Sequence, residues 1–269
     1  MKRSHLPENP AGQNSVFGVR IQEFHRKMKN VALIFAGGSG KRMNSGAIPK
    51  QFLELYGKPI IIYTLEKFEN HDDIQGIVVV CIHGWISEMR KYVRRFGLTK
   101  VKAIVPGGET GQESIHNGLL AVKKLYPDDT VVLIHDGVRP LVDPETITKC
   151  IECTKEKGNA MTVVPATETI FVGDGKPGVV GDILDRSRCE MVRAPQCFRL
   201  GDILECHEKA LEEGKKDFID SASMFHYYGH TLYSVIGSTE NIKITTPIDY
   251  YIFRAIVDAK ENSRIFGYQ

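Results

Sequence analysis

Two stretches of the chain place glycine beside charge in a way that suits phosphate chemistry. Ala36-Gly37-Gly38-Ser39-Gly40-Lys41-Arg42-Met43 is rich enough in glycine for its backbone N–H groups to close on an anion without a Cβ in the way. Lys50, in Pro49-Lys50-Gln51, joins Arg42 as a second cation. A backbone cradle with two cations suits a polyphosphate; solvated side chains on a tight turn are the plainer alternative. His135-Asp136-Gly137-Val138-Arg139-Pro140 sets a carboxylate three residues from a guanidinium. There Asp136 can hold Mg²⁺ and Arg139 can order the loop or bind phosphate, unless the two form a purely structural pair.

Two better-known phosphate loops do not fit. A Walker loop needs glycine at position 35 and Ser or Thr at position 42, where this chain has Phe35 and Arg42. The dinucleotide fingerprint needs a third small residue where Met43 stands, which disfavours a nicotinamide-dependent oxidoreductase. Cys150-x-x-Cys153 has no second pair to complete a zinc site and reads as two small residues of a helix. His207 and His226 read as satisfied helix residues, and Tyr227-Tyr228 and Tyr250-Tyr251 as packing.

These loops need a scaffold, and hydrophobic periodicity supplies one. Apolar runs at 31–36, 77–82, 101–105 and 130–134 alternate with helical patterns. Ile60, Thr64 and Phe68 recur every four residues; Ile86, Met89, Val93 and Phe96 precede Gly97; Ile115, Leu119, Val122 and Leu125 mark a third face. Asp143-Pro144 opens a helix that Gly158 closes. The expected class is a doubly wound α/β fold with a mostly parallel, Rossmann-like sheet, whose strands deliver their following loops to one carboxyl edge. Beyond Gly158 the rhythm changes. Strands at 160–164 and 169–172, a Gly173-Asp174-Gly175 turn and an extended stretch over 179–193 predict an antiparallel β-arm at about 163–193. Helices are expected near 200–213 and 220–228, a strand at 231–236, and a last helix from Thr246-Pro247.

The 269 residues, 42% hydrophobic and 25% charged, suffice for one large core, and 30–262 reads as a single domain. A net charge of +2 is too balanced for a nucleic-acid or anionic-membrane surface. The longest apolar runs fall far short of the roughly 20 residues of a membrane span. Cysteines inside apolar segments fit a reducing, cytoplasmic location. Residues 1–29 read as a basic, flexible leader with no secretory apolar stretch, and Met28 offers an alternative start.

Taken in order, Ala36 to Met43, Pro49-Lys50-Gln51, Pro106-Gly107-Gly108, His135 to Pro140, Ala194-Pro195-Gln196 and Glu240-Asn241-Ile242-Lys243-Ile244-Thr245 resemble the sugar-alcohol-phosphate cytidylyltransferases. That family includes the ribitol 5-phosphate and 2-C-methyl-D-erythritol 4-phosphate enzymes. The resemblance implies that a phosphate oxygen of the acceptor attacks the α-phosphorus of CTP and expels pyrophosphate. The nucleophile is already anionic, so no general base is needed.

By the same resemblance Arg42, Lys50 and Lys243 are catalytic cations. Ala36, Gly37, Gly38, Ser39, Gly40, Gly108, Glu109, Ser114, Asp136 and Arg139 bind CTP, and Asp136 lies beside Mg²⁺ held mainly by the nucleotide. Thr169 and Arg186 contact the acceptor phosphate from the arm of the second subunit of a homodimer. The chain departs from the methylerythritol branch at Gly111, where arginine is usual, and at Ile219 and Ala194, where threonine is commoner. The Ala-Gly-Gly start is nearer the ribitol branch, so a pentitol phosphate is the preferred acceptor and methylerythritol 4-phosphate the alternative. A non-catalytic nucleotide-binding protein is a third reading.

Overall fold

The computed structural model describes residues 28–37 and 48–266. In chain order the elements are β1 (Asn30–Ala36), a small hairpin of β2 (Glu54–Leu55) and β3 (Lys58–Pro59), α1 (Ile60–Glu69), β4 (Gly76–Cys81), α2 (Ile86–Arg95), β5 (Val101–Pro106), α3 (Gly111–Lys123) and β6 (Val131–Asp136). There follow α4 (Pro144–Lys157), β7 (Asn159–Pro165), β8 (Phe171–Gly173), β9 (Val180–Ile183), β10 (Glu190–Arg199), α5 (Leu200–Glu212), α6 (Ser221–Tyr227), β11 (Ser234–Ile236) and α7 (Pro247–Phe266). The central sheet has seven strands in the order β11-β7-β10-β6-β1-β4-β5. All its neighbouring pairs are parallel except those made by β10.

Alternation along the strands explains the layers. Ala32, Ile34, Ile77, Val79, Val131 and Leu133 face α1, α2 and α4, whereas Val31, Leu33, Val78, Val80, Val132 and Ile134 face α3, α5 and α6. Each fully buried Val, Leu or Ile among them contributes about 1.5–3 kcal/mol relative to exposure. A third cluster joins Leu55, Ile60, Val138, Leu141, Ile244 and Phe253, so α7 seals the loop after β6.

The helix ends follow local chemistry. The Asp143 side chain accepts from Thr146 N–H with Pro144 in the first turn, and Gly158 closes α4 at φ 93°. Thr110 caps α3 by accepting from Glu113 N–H.

Several details differ from the sequence reading. The first strand of the arm runs over Phe171–Gly173 and not 169–172, so its turn falls at 175–178 and not at Gly173-Asp174-Gly175. Residues 231–233 lie outside β11 because the Asn159 side chain bridges them, donating to Thr231 O and accepting from Tyr233 N–H. Leu125 lies beyond α3 and is half exposed, since the chain turns there ahead of Pro127. Most consequentially, the extended stretch does not end at 193. It continues as β10 to Arg199 and inserts antiparallel between β6 and β7. Pro195 hides this central strand in the sequence, and it is tolerated because the register slips between Val192 and Gln196, a bulge where no ladder N–H is needed. The β-arm is a separate two-stranded sheet, β8 against β9, with every residue of both strands exposed.

Candidate active site

The chain leaves β1 for β4 on one side and returns as β6 on the other, so the loops after β1 and β6 flank the crevice where ligands of such sheets bind. Asp136, the last residue of β6, fills this position. Its Oδ2 accepts from Arg139 Nε at 2.8 Å, and its Oδ1 lies 2.7 Å from Lys243 Nζ. Arg139 also donates through Nη1 to the Asn241 carbonyl at 2.8 Å, and Asn241 Nδ2 donates to Ala194 O at 2.6 Å. One network therefore ties the end of β6, the bulge of β10 and the segment before α7.

Lys243 is pinned from both sides. Ile244 N–H donates to Val138 O, and Asp249 accepts from the backbone and hydroxyl groups of Thr245 and Thr246 at the start of α7.

Burial by itself would raise the Asp136 carboxyl, but Lys243 and Arg139 outweigh it and hold the group below its ordinary value, so it is ionised. Burial pushes the neighbouring His135 down to about 4, despite its bond to the Arg139 carbonyl and the nearby Asp136. That ring is neutral and donates from Nε2 to Arg139 O at 3.1 Å, which fixes its tautomer. Burial lowers Arg193, and Arg139 adds repulsion. Arg193 Nε is buried without a hydrogen-bond partner.

Beside this network lies a cavity of about 480 Å³, within the range of small-molecule sites. Asp136, Arg139, Lys243 and Arg193 line it, as do Gln196, His207, Lys216 and Asp220. Gly111, Ala194 and Ile219, the three departures from the methylerythritol pattern, line it too. The Gln196 side chain donates to Asp220 Oδ2 and accepts from Ala222 N–H, fastening β10 to the capped start of α6. Arg193 and Lys216 escape the sequence reading, which takes His207 for a satisfied helix residue. Arg193 stands immediately before Ala194-Pro195-Gln196 but outside the recognised motif, and His207 is indistinguishable from an ordinary helix residue. His207 was expected to be satisfied, yet its Nε2 is buried without a partner.

The glycine loops meet nearby. Ser114 Oγ accepts from Gly108 N–H at 3.0 Å and donates to Thr110 O. A Cβ on Gly37 or Gly107 would come within 3.1 and 3.0 Å of that oxygen, so glycine allows the loops after β1 and β5 to close together. The exposed Glu109 offers its N–H to Glu113. Gln51 Nε2 donates to Ala36 O at 2.7 Å, which docks the Lys50 segment on the end of β1. Gly38, Ser39, Gly40 and Arg42 lie outside the described residues, as do residues 1–27 of the stretch 1–29 expected to form a basic leader. Thr169 and Arg186 are exposed in the arm region, where Arg186 donates to Thr167 O, and neither lines the cavity.

Among the described residues no group of three His, Cys, Asp or Glu side chains gathers to hold a metal. A Mg²⁺ that draws most of its ligands from phosphate and water needs only one or two carboxylates, and the ionised Asp136 meets that demand. No helix among the described residues is long and apolar enough to cross a membrane.

Residues 30–259 match the family model of IspD, 2-C-methyl-D-erythritol 4-phosphate cytidylyltransferase. A ribitol-5-phosphate cytidylyltransferase of Vibrio parahaemolyticus serotype O3:K6 is 52% identical over 238 residues, 88% of this chain and 100% of that one. A 2-C-methyl-D-erythritol 4-phosphate cytidylyltransferase of Clostridium botulinum is 41% identical over 230 residues, 86% of this chain and 98% of that one. The crystal structure of 4-diphosphocytidyl-2C-methyl-D-erythritol synthase from Anaerococcus prevotii superposes with a TM-score of 0.74 at 25% identity, covering 86% and 96% of the two chains.

Proposed function

Since the chain belongs to the IspD family of cytidylyltransferases, we propose that it transfers CMP from CTP to ribitol 5-phosphate or a closely related pentitol phosphate, giving a CDP-alditol and pyrophosphate. The observation that carries this reading is the interlocked Asp136–Arg139–Lys243 cluster at the edge of a cavity large enough for a polyol phosphate. The greater identity to the ribitol relative than to the methylerythritol relative supports the acceptor. So does the placement of Gly111, Ala194 and Ile219 on the cavity wall.

In this reading an anionic phosphate oxygen of the acceptor attacks the α-phosphorus of CTP in line with the pyrophosphate. Charge crowding is the barrier, and preorganised cations lower it. Lys243, held by Asp136 yet with a side chain 39% exposed, supplies one such cation, and Lys50 and Arg42 supply others. Ala36, Gly37, Gly38, Ser39 and Gly40 present backbone N–H groups to the triphosphate. Gly108, Glu109 and Ser114 shape the wall against the cytosine. Asp136 would help hold Mg²⁺, which neutralises phosphate charge when bound. Thr169 and Arg186 reach the acceptor phosphate from the arm of a second subunit, in a homodimer working in the cytoplasm, where CTP is supplied.

The test is pyrophosphate release with CTP and Mg²⁺, comparing ribitol 5-phosphate with methylerythritol 4-phosphate on a preparation whose mass is read by light scattering. A dimer preferring ribitol 5-phosphate is expected. Preference for methylerythritol 4-phosphate would overturn the acceptor, and a monomer would remove Thr169 and Arg186 from the site.

A further inference from the structure

The mechanism above uses only the charged edge of the cavity. Its wall at α5 carries a different chemistry. His207 is 1% exposed and lines the cavity, and its Nε2 has no hydrogen-bond partner. Its ring stacks on His116 of α3 at 5.4 Å between centroids, the planes 13° apart, and His116 Nε2 is likewise buried and unpartnered. Buried polar atoms are normally satisfied, and among the described residues His207, Arg193 and Ser221 combine an unpartnered buried atom with a place on the cavity wall, where a ligand can supply the missing partner.

Burial depresses both imidazoles, His207 to about 3, so each ring is neutral and offers one donor and one acceptor. A neutral donor–acceptor pair complements a hydroxyl; it offers little to a phosphate, which the cations at the other edge attract. Gly111, where a Cβ would meet nothing within 4 Å, keeps the space open. The Ile115 and Met224 side chains give it apolar walls suited to a carbon chain.

Given that the cavity takes the acceptor polyol, we propose that His207 is a specificity residue hydrogen-bonded to one of the inner hydroxyls of its carbon chain. The inference rests on the alditol-phosphate reading above and adds the residue that reads the alditol.

The experiment is a cycle between enzyme and substrate. His207→Phe keeps a stacking ring but removes both nitrogens. Ribitol 5-phosphate and 1,5-pentanediol monophosphate share the nucleophilic phosphate and chain length but differ in the inner hydroxyls. The variant should lose about 10- to 100-fold in kcat/KM for ribitol 5-phosphate, as expected when a buried hydrogen bond to substrate is removed. It should lose less than about threefold for the diol phosphate, with the KM for CTP moved no more than twofold. Equal losses on both acceptors would overturn the proposal, because a merely structural histidine cannot tell them apart.

Should His207→Phe not fold, the ¹⁵N shifts of the His207 ring in the unaltered protein give the answer. They should move on adding ribitol 5-phosphate and stay put with inorganic phosphate, and an unmoved ring overturns the proposal. Failure of the acceptor reading is distinguishable: the unaltered enzyme would then release no pyrophosphate with any pentitol phosphate.

Discussion

The cavity has two ends built on opposite electrostatic plans. At the β6 edge three charged groups satisfy one another: Asp136 takes Arg139 on one oxygen and Lys243 on the other, and Arg139 gives a further donor to Asn241 O, while Arg193 beside them keeps an unpartnered Nε. At the α5 wall His207 is neutral and its Nε2 is unmet, as is that of His116 stacked against it from α3. Cations fixed before substrate arrives cost nothing to reorganise when charge builds on the α-phosphorus. An unmatched neutral atom does the reverse, since it is satisfied only when a ligand of the right shape arrives. One end is arranged for rate and the other for choice.

The largest way to break this contrast is to remove a fixed cation. Lys243→Met keeps most of the side-chain length without the charge and should cost about 10²–10³ in kcat, with a smaller change in the KM of the acceptor. Steady-state kinetics with CTP and ribitol 5-phosphate check it. A loss confined to acceptor KM would place Lys243 with the recognition end instead.

The charged end was half legible in the sequence, for a physical reason. Asp136 and Arg139 sit three residues apart on one strand end, so the pattern displays them together. Lys243 comes from the far side of the fold, and only the family resemblance pointed to it. The parallel half of the sheet could be read because β1, β4 and β6 are continuous apolar runs separated by helical patterns. β10 was lost because Pro195 interrupts the run and the bulge that admits it leaves no periodic mark. With the strand went Arg193, which that bulge places on the cavity wall. His207 was invisible for a different reason: one helical histidine looks like another until its neighbours are known.

Acid sharpens the comparison further. His135 and His207 are both driven below the usual 6.5 by burial, to about 4 and about 3. The unfolded chain therefore binds protons that the folded chain refuses. Their stabilising contribution is whole above pH 6.5 and is lost as pH falls toward the folded values. Each histidine should steepen the fall by up to about 1.4 kcal/mol per pH unit, or roughly 2–3 kcal/mol between pH 6.5 and 4.5. Urea unfolding across that range reads the slope. His207→Phe should remove one histidine's share and leave that of His135. An unchanged slope would mean that the His207 ring is already charged or already open to water, which would dissolve the contrast between the two ends.

The smallest effect is the most selective. Gly111 is the first residue of α3, capped by Thr110, and lines the cavity with open space where its Cβ would stand. Its backbone has no need of glycine, so a longer residue there is a matter of volume in the cavity and not of strain. Gly111→Arg puts a long cationic side chain at the edge of the space that His207 bounds. Such a chain competes with the polyol while leaving Asp136, Arg139 and Lys243 in their network. The KM for ribitol 5-phosphate should rise about tenfold, near 1.4 kcal/mol, with kcat nearly held and the ratio of ribitol to methylerythritol turnover lowered. Gly111→Ala, which adds only the Cβ, should move the same constants in the same direction by less. A fall in kcat as large as that of Lys243→Met would show that the two ends are one site whose charges and shape cannot be separated. A graded rise in acceptor KM alone would show that recognition is carried by the α3–α5 side of the cavity, independently of the cations that carry the rate.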